Sequence, residues 1–415
     1  MTARGAPRIG LWGSAGLPNL GDRLISEVVR RELGNRLPGA RTEVFSPWQG
    51  LGDRGDAVRR LLLDAGSGWT PAAGYDALVV PGGGLLAGPP FLHPVMTAFA
   101  LGAEPAAFAP GTFVAWHAVG SQDDSPEPAR PRDRRYLRSL ADRLDHCTVR
   151  DAVTARRLGA TGSPGPAVVP DPVFALEPFG SGARPARRRP LVGVSVGSSP
   201  HTASLLEATI GGPVADLPPV GRELCLTPEE VLARVGGEQQ LRRRRTMAEL
   251  ARGLLLLAER ADLLLVGIRN MYGDAPVAEQ LAAALPGARC LLVDHRDHDA
   301  VTAAYGSCDT VLAARYHSMV LALRAGVPVV GVEVSAVSGP SKLRDLAARL
   351  GAPDRYWGHL DGPPPPLPDL VLGALRSGSP DEEADRYATA RRAALAALDE
   401  LAGRIADGVD RRRAG

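Results

Sequence analysis

The sequence predicts an α/β protein built from two doubly wound parallel sheets, with a long helix at the C-terminus. Three observations carry this. Short apolar runs that read as strands alternate with segments of helical period. Turns containing glycine and proline follow the apolar runs. A stretch rich in Gly, Pro and Arg, Pro178 to Pro190, separates two such series.

The first series opens with an apolar strand, Ile9 to Trp12. Gly13 to Gly21 is a loop, and Asp22 is placed to cap a helix from Arg23 to Leu37. Thr42 to Phe45 reads as the next strand. Tyr75-Asp76 leads into the strand Ala77 to Val80, and Pro81-Gly82-Gly83-Gly84 reads as a tight turn after it. Thr112 to Val119 and His146 to Val149 are further buried strands. Arg150-Asp151 starts a helix from Ala152 to Leu158, and Val168-Val169 with Pro170-Asp171-Pro172 closes the series. Strands alternating with helices imply a parallel sheet wound on both faces.

The second series has strands at Leu191 to Val196, Leu263 to Gly267, Cys290 to Val293, Thr310 to Ala313 and Val327 to Val332. Ser198 to Gly237 is a long insertion expected beside the mouth of the cleft between the two halves, since it follows the carboxyl end of the second series' first strand. Pro363 to Pro368 reads as a second linker. Asp381 to Val409 has Ala and Leu at helical spacing among many charges, an amphipathic helix whose apolar face requires a partner. Its terminal Arg411 to Arg413 reads as a solvated end. The expected division is therefore an N-terminal domain 1–178, a linker 179–190, a second domain 191–362 with the insertion 198–237, and a terminal segment 363–415.

Composition narrows the function. A chain of 415 residues holds two to three domains. A net charge of +2 gives no ground for bulk nucleic-acid binding. Lys342 is the sole lysine. Cys147, Cys225, Cys290 and Cys308 are scattered without metal-ligand spacing and read as reduced residues of a cytoplasmic protein. No apolar run reaches the length of a membrane span, and Met1 to Arg8 has no signal-peptide core.

Arg315-Tyr316-His317 is the main candidate site. It stands between an apolar strand and a helical segment, where helix N–H groups and a partial positive charge favour anions. Taken singly, Arg315 would pair with a carboxylate and His317 would cap the helix; together, between two apolar strands, they read as an anion site. Arg150 stands at an equivalent edge of the first series. If the halves face each other, Arg150 and Arg315 could hold one anion from opposite walls, since guanidinium forks suit carboxylate and phosphate. A local Arg150–Asp151 pair is the simpler alternative. Gly82, Gly83 and Gly84 would let backbone N–H groups approach a ligand. Gly10, Gly13 and Gly16 do not form a dinucleotide fingerprint, and no Walker lysine pattern is present. His295 and His298, flanking Arg296-Asp297, fit a solvated loop before a helix better than a metal pair.

These pieces resemble the polysaccharide pyruvyl transferase family. The landmarks are Asn19-Leu20-Gly21-Asp22, Tyr75-Asp76 with Gly82-Gly83-Gly84, Val149-Arg150-Asp151 with Leu158-Gly159, and Val169-Pro170-Asp171-Pro172. Arg315-Tyr316-His317 with Ala322, Gly326 and Pro328, then Lys342 and Leu350-Gly351, complete a set that runs from Arg8 to Gly351. The resemblance implies two Rossmann-like domains in a GT-B-like arrangement, with the active site between them. It implies phosphoenolpyruvate as donor, a sugar hydroxyl pair of a glycan as acceptor, and no metal or further cofactor. By motif it makes Arg150, Arg315 and His317 donor-binding residues, with Arg315 and His317 catalytic. It adds Asn19, Gly21, Asp22, Gly82, Gly83, Gly84 and Lys342 as substrate-binding residues. His317 could steady the phosphate or act as general acid.

A GT-B glycosyltransferase using a nucleotide sugar is the rival reading, because fold does not determine chemistry. Against it, no acidic residue follows His317 until Glu333.

Overall fold

The computed structural model describes residues 6–13, 19–45, 74–86, 111–121, 144–159, 165–180, 186–196, 237–270, 274–333, 341–358 and 363–414. The insertion at 198–236 and parts of the first linker lie outside these residues.

The first sheet contains β1 (Arg8–Trp12), β2 (Arg41–Phe45), β3 (Ala77–Val80), β4 (Gly83–Leu86), β5 (Phe113–Ser121), β6 (His146–Val149) and β7 (Ala167–Val168). Its order is β2-β1-β3-β5-β6-β7, with β4 pairing to the far end of β5. All pairings are parallel. The second sheet contains β8 (Leu191–Ser195), β9 (Asp262–Arg269), β10 (Arg289–Asp294), β11 (Thr310–Ala313), β12 (Val329–Val332) and β13 (Tyr356–Trp357). Its order is β10-β9-β8-β11-β12-β13, again all parallel. The central strands are buried along their whole length, as parallel strands covered on both faces must be.

The strand orders locate the ligand edge. In each sheet the order reverses once: between β1 and β3 in the first, and between β8 and β11 in the second. Ligands of open α/β sheets bind outside the carboxyl ends of the strands at such a reversal. Asn19–Asp22 and Pro81–Gly84 follow the two strands at the first reversal. Ser195 ends one of the two strands at the second, and Arg315–His317 follow the other.

The helices are α1 (Leu20–Arg36), α2 (Ala152–Gly159), α3 (Gly237–Ala258), α4 (Asp274–Ala284), α5 (His298–Gly306), α6 (Tyr316–Arg324), α7 (Lys342–Arg349), α8 (Leu367–Ser377) and α9 (Pro380–Ala414). Several differ from the sequence reading. The first helix begins three residues earlier, because Asn19 rather than Asp22 is its cap: the Asn19 side chain accepts from the Gly21 N–H and donates to Asp22. The supposed linker Pro363 to Pro368 supplies the first residues of α8, since Pro368 at the first turn lacks only an N–H that would be unpaired there.

The glycine triplet is not a turn into a helix. Gly83 and Gly84 pair with β5 as strand, and only Gly82 remains in the kink. Val80 is opposite Trp116 and Gly83 opposite Val119, so the register is kept across the kink while β5 runs on beside it without interruption. Gly82 and Gly83 have φ of 117° and 97°, and Ala118 on the facing strand has φ of 51°. An alanine in that region is strained, and such strain concentrates at functional edges.

The long helix α9 crosses between the domains. It packs on α1, β5 and the 3-10 turn Pro172–Ala175 from the first half, and on α6 from the second. Leu398, Leu401 and Ile405 are fully buried on it. Tyr387 stacks against Phe174 at 5.7 Å and donates to the Leu176 carbonyl. The terminal arginines are not merely solvated: Arg412 pairs with Asp145 and Arg413 with Asp76, the residues just before β6 and β3.

Candidate active site

Arg150 follows β6 and is 3% exposed. Its Nη1 donates to Asp171 Oδ2 at 2.9 Å, so its partner is not the neighbouring Asp151. Asp151 instead caps α2 by accepting from the Thr154 N–H and hydroxyl, each at 2.7 Å. The guanidinium lies 4.5 Å from the centroid of the Tyr316 ring, a cation–π contact reaching from the first domain to the second. It also lies against Gly120. A Cβ there would fall 2.3 Å from Arg150 Nε, so glycine is what makes room for the arginine.

His317 approaches the same point from α6. Arg315 is the cap residue of that helix and makes no side-chain capping bond, so His317 falls within the first turn rather than on the cap. Its Nε2 lies 3.5 Å from Asp171 Oδ2. At that length it is a contact rather than a hydrogen bond, and the buried Nε2 has no hydrogen-bond partner. The other side of the ring rests on Gly21, where a Cβ would lie 1.9 Å from Nδ1. Gly21 thus admits the imidazole to the N-terminus of α1.

Two buried carboxylates share the site with opposite fates. Burial would raise Asp171, but His317, Arg150 and the Val173 N–H outweigh it and hold its carboxyl well below the usual range. Burial dominates at Asp22 and pushes its carboxyl up, although His317, Arg150 and Asn19 act in the other direction. Nearby His117, fully buried on β5, is pushed down to about 3 by burial, with His146 adding to the effect. His117 is therefore a neutral ring at physiological pH; its Nδ1 lies 3.4 Å from the Thr148 hydroxyl.

Arg315 has a different partner. Its Nε and Nη2 grip the two oxygens of Asp274 at 3.2 and 2.5 Å, and Asn270 also donates to that carboxylate. The structure thus brings Arg150, His317, Gly21 and Asp22 together, while Arg315 is engaged on its own domain. Asn19 belongs to the same corner through Asp22. Gly82, Gly83 and Gly84 form the kink and strand beside it. Lys342 opens α7 behind the cap Ser341, whose hydroxyl donates to Glu333.

Sequence reading missed Asp171, Gly120 and Arg349 as site residues. Asp171 stands before a proline, where an acidic cap was legible, but its partners Arg150 and His317 are far away in sequence. Gly120 lies within a strand and carries no local signal. Arg349 donates to the Arg150 carbonyl from the last turn of α7, a contact made only by the packing of the domains.

Comparison with a known structure supports the architecture. A protein from Listeria monocytogenes assigned as a UDP-N-acetylglucosamine 2-epimerase superposes with a TM-score of 0.50 at 12% identity, covering 96% of this chain and 95% of that one. MnaA from S. aureus in complex with UDP gives 0.48 at 10% identity, covering 89% and 86%. The arrangement of two parallel-sheet α/β domains is GT-B-like. A search of curated proteins finds no match to the sequence. The sequence profile of the polysaccharide pyruvyl transferases matches residues 19–335, from the cap of α1 to just past β12, leaving Lys342 beyond it. That span takes in both switch-point edges and every residue that meets at Asp171, and with it the chain belongs to the polysaccharide pyruvyl transferase family.

Proposed function

We propose that this protein transfers the three-carbon skeleton of phosphoenolpyruvate to two hydroxyls of a glycan sugar, forming a cyclic pyruvate ketal and releasing phosphate. One observation carries the reading most: Arg150 and His317 converge from two domains on the buried Asp171 carboxylate, and Arg150 Nε is buried without a hydrogen-bond acceptor. Buried donors without acceptors mark a place for an anionic ligand. Phosphoenolpyruvate brings two anionic groups, and Arg349 adds a further cation at the same interface.

In this scheme a proton is added to the methylene carbon of the donor, which becomes a methyl group. The first sugar hydroxyl attacks C2 and gives up its proton. Phosphate leaves with the C2–O bond electrons, and the second hydroxyl closes the ketal as its proton departs. Arg150 holds charge that moves from the donor to the leaving phosphate, and His317 serves as acid or phosphate ligand. The scheme asks for no cofactor besides the donor. The setting we propose is the cytoplasm; no helix among the described residues is long and apolar enough to cross a membrane.

The test is phosphate release from phosphoenolpyruvate by the purified protein with a panel of p-nitrophenyl hexosides. Arg150→Lys removes the planar fork, and the loss of a charge-assisted bond of about 1.5–3 kcal/mol predicts roughly ten- to hundredfold weaker donor binding. Turnover with a UDP-sugar and none with phosphoenolpyruvate would overturn the assignment.

A further inference from the structure

We infer that Asp171 is a positioning residue that sets Arg150 and His317 as one unit across the domain interface, leaving His317 Nδ1 as the nitrogen that works on the ligand. The inference rests on the proposed pyruvyl transfer and deepens it.

Asp171 is itself fixed. It is 0% exposed. Its Oδ1 accepts from the Val173 N–H at 3.0 Å, and its carbonyl accepts from the Phe174 N–H at 3.0 Å. The turn that carries it, Pro172–Ala175, packs on α1, α6 and α9. Its remaining oxygen, Oδ2, meets Arg150 Nη1 at 2.9 Å and His317 Nε2 at 3.5 Å. One rigid carboxylate oxygen therefore faces a cation from its own domain and an imidazole from the other.

The consequence for the histidine is specific. The partner of one ring nitrogen determines the tautomer and the role of the other. Nε2 faces Asp171, so Nε2 carries a proton and Nδ1 is free to exchange one. Nδ1 sits over Gly21, beside the Asn19–Asp22 corner at the N-terminus of α1, the end of the helix that favours anions. A ligand held there would meet Nδ1, while Asp171 balances positive charge on the ring. A carboxylate that only neutralised Arg150 would not need to lie within reach of His317 as well.

Two variants test this. Asp171→Asn keeps the shape and the acceptor for the Val173 N–H but removes the charge. Asp171→Glu keeps the charge, so that Arg150 remains neutralised, but shifts the oxygens by one methylene. Donor affinity is measured by calorimetry with phosphoenolpyruvate, and kcat by phosphate release with the best p-nitrophenyl hexoside. Removing an anion from an anion site should leave phosphoenolpyruvate binding unchanged or tighter. Loss of ring orientation should lower kcat by about a hundredfold, the scale of a misplaced catalytic group. Asp171→Glu should lower kcat similarly, with a melting temperature near that of wild type; if Asp171→Asn fails to fold, this variant alone decides. Variants with kcat within twofold of wild type would overturn the inference, as would kcat and donor affinity falling in proportion. A wild type that releases no phosphate defeats the proposed reaction; an active wild type with unimpaired variants defeats the role of Asp171 alone.

Discussion

Gly21 and Gly120 act by what they lack. Each leaves room for a functional side chain, His317 in one case and Arg150 in the other, and a methyl group at either place would fall within 2.3 Å of it. Gly21→Ala should therefore displace the imidazole and cut kcat by roughly a hundredfold, with circular dichroism unchanged; a variant of normal activity would show that His317 is not needed where it stands. The two carboxylates give a paired prediction with opposite signs. Asp171 is depressed, so it contributes stability above its unfolded pKa of about 3.9 that is lost as pH falls through the folded value. Asp22 is raised, so the folded state holds its proton longer and stability falls as pH rises from about 4 toward the folded value. Melting curves from pH 3 to 7 should then show wild type gaining on Asp171→Asn at the low end of that range, and losing ground to Asp22→Asn above it.

At the scale of elements, α9 is the clearest case of sequence pattern becoming structure. Its alanines and leucines at helical spacing require burial, and the structure buries them across both domains. Leu401→Ala removes a fully buried side chain and should cost about 2–5 kcal/mol, read from urea denaturation. Removing Arg411 to Arg413 breaks two ion pairs whose side chains are between 27% and 31% exposed. Partly exposed pairs contribute roughly 0.2–1 kcal/mol each, so that truncation should be mild. The same element shows a limit of local reading: a terminal arginine run looks solvated unless the acids before β3 and β6 are known to lie under it.

For the whole molecule, the active site is an interface. Arg150 touches Tyr316, Asp171 faces His317, and Arg349 donates to Arg150, each contact joining one domain to the other. Phosphoenolpyruvate bound there should protect both walls together. Hydrogen exchange should slow in parallel in residues 20–36 and 316–324 when the donor is added. Protection confined to one of these helices would place the donor on a single domain and remove the shared site.

The alternation of strands and helices, the turns at their carboxyl ends and the amphipathic last helix were all legible in the sequence. These depend on residues close together in the chain: hydrophobic period, caps and breakers. The sequence also made Arg150 and His317 visible, since each stands where a strand gives way to a helix. The partners emerged only on folding. Arg150 found Asp171 rather than the adjacent Asp151, and Arg315 found Asp274, 41 residues away. Charge pairing is a matter of distance in space and of burial, and neither is encoded locally. The glycine triplet shows the same division: its freedom at positive φ was legible, but its place as a strand beside β5 depended on a neighbour that the local sequence does not contain.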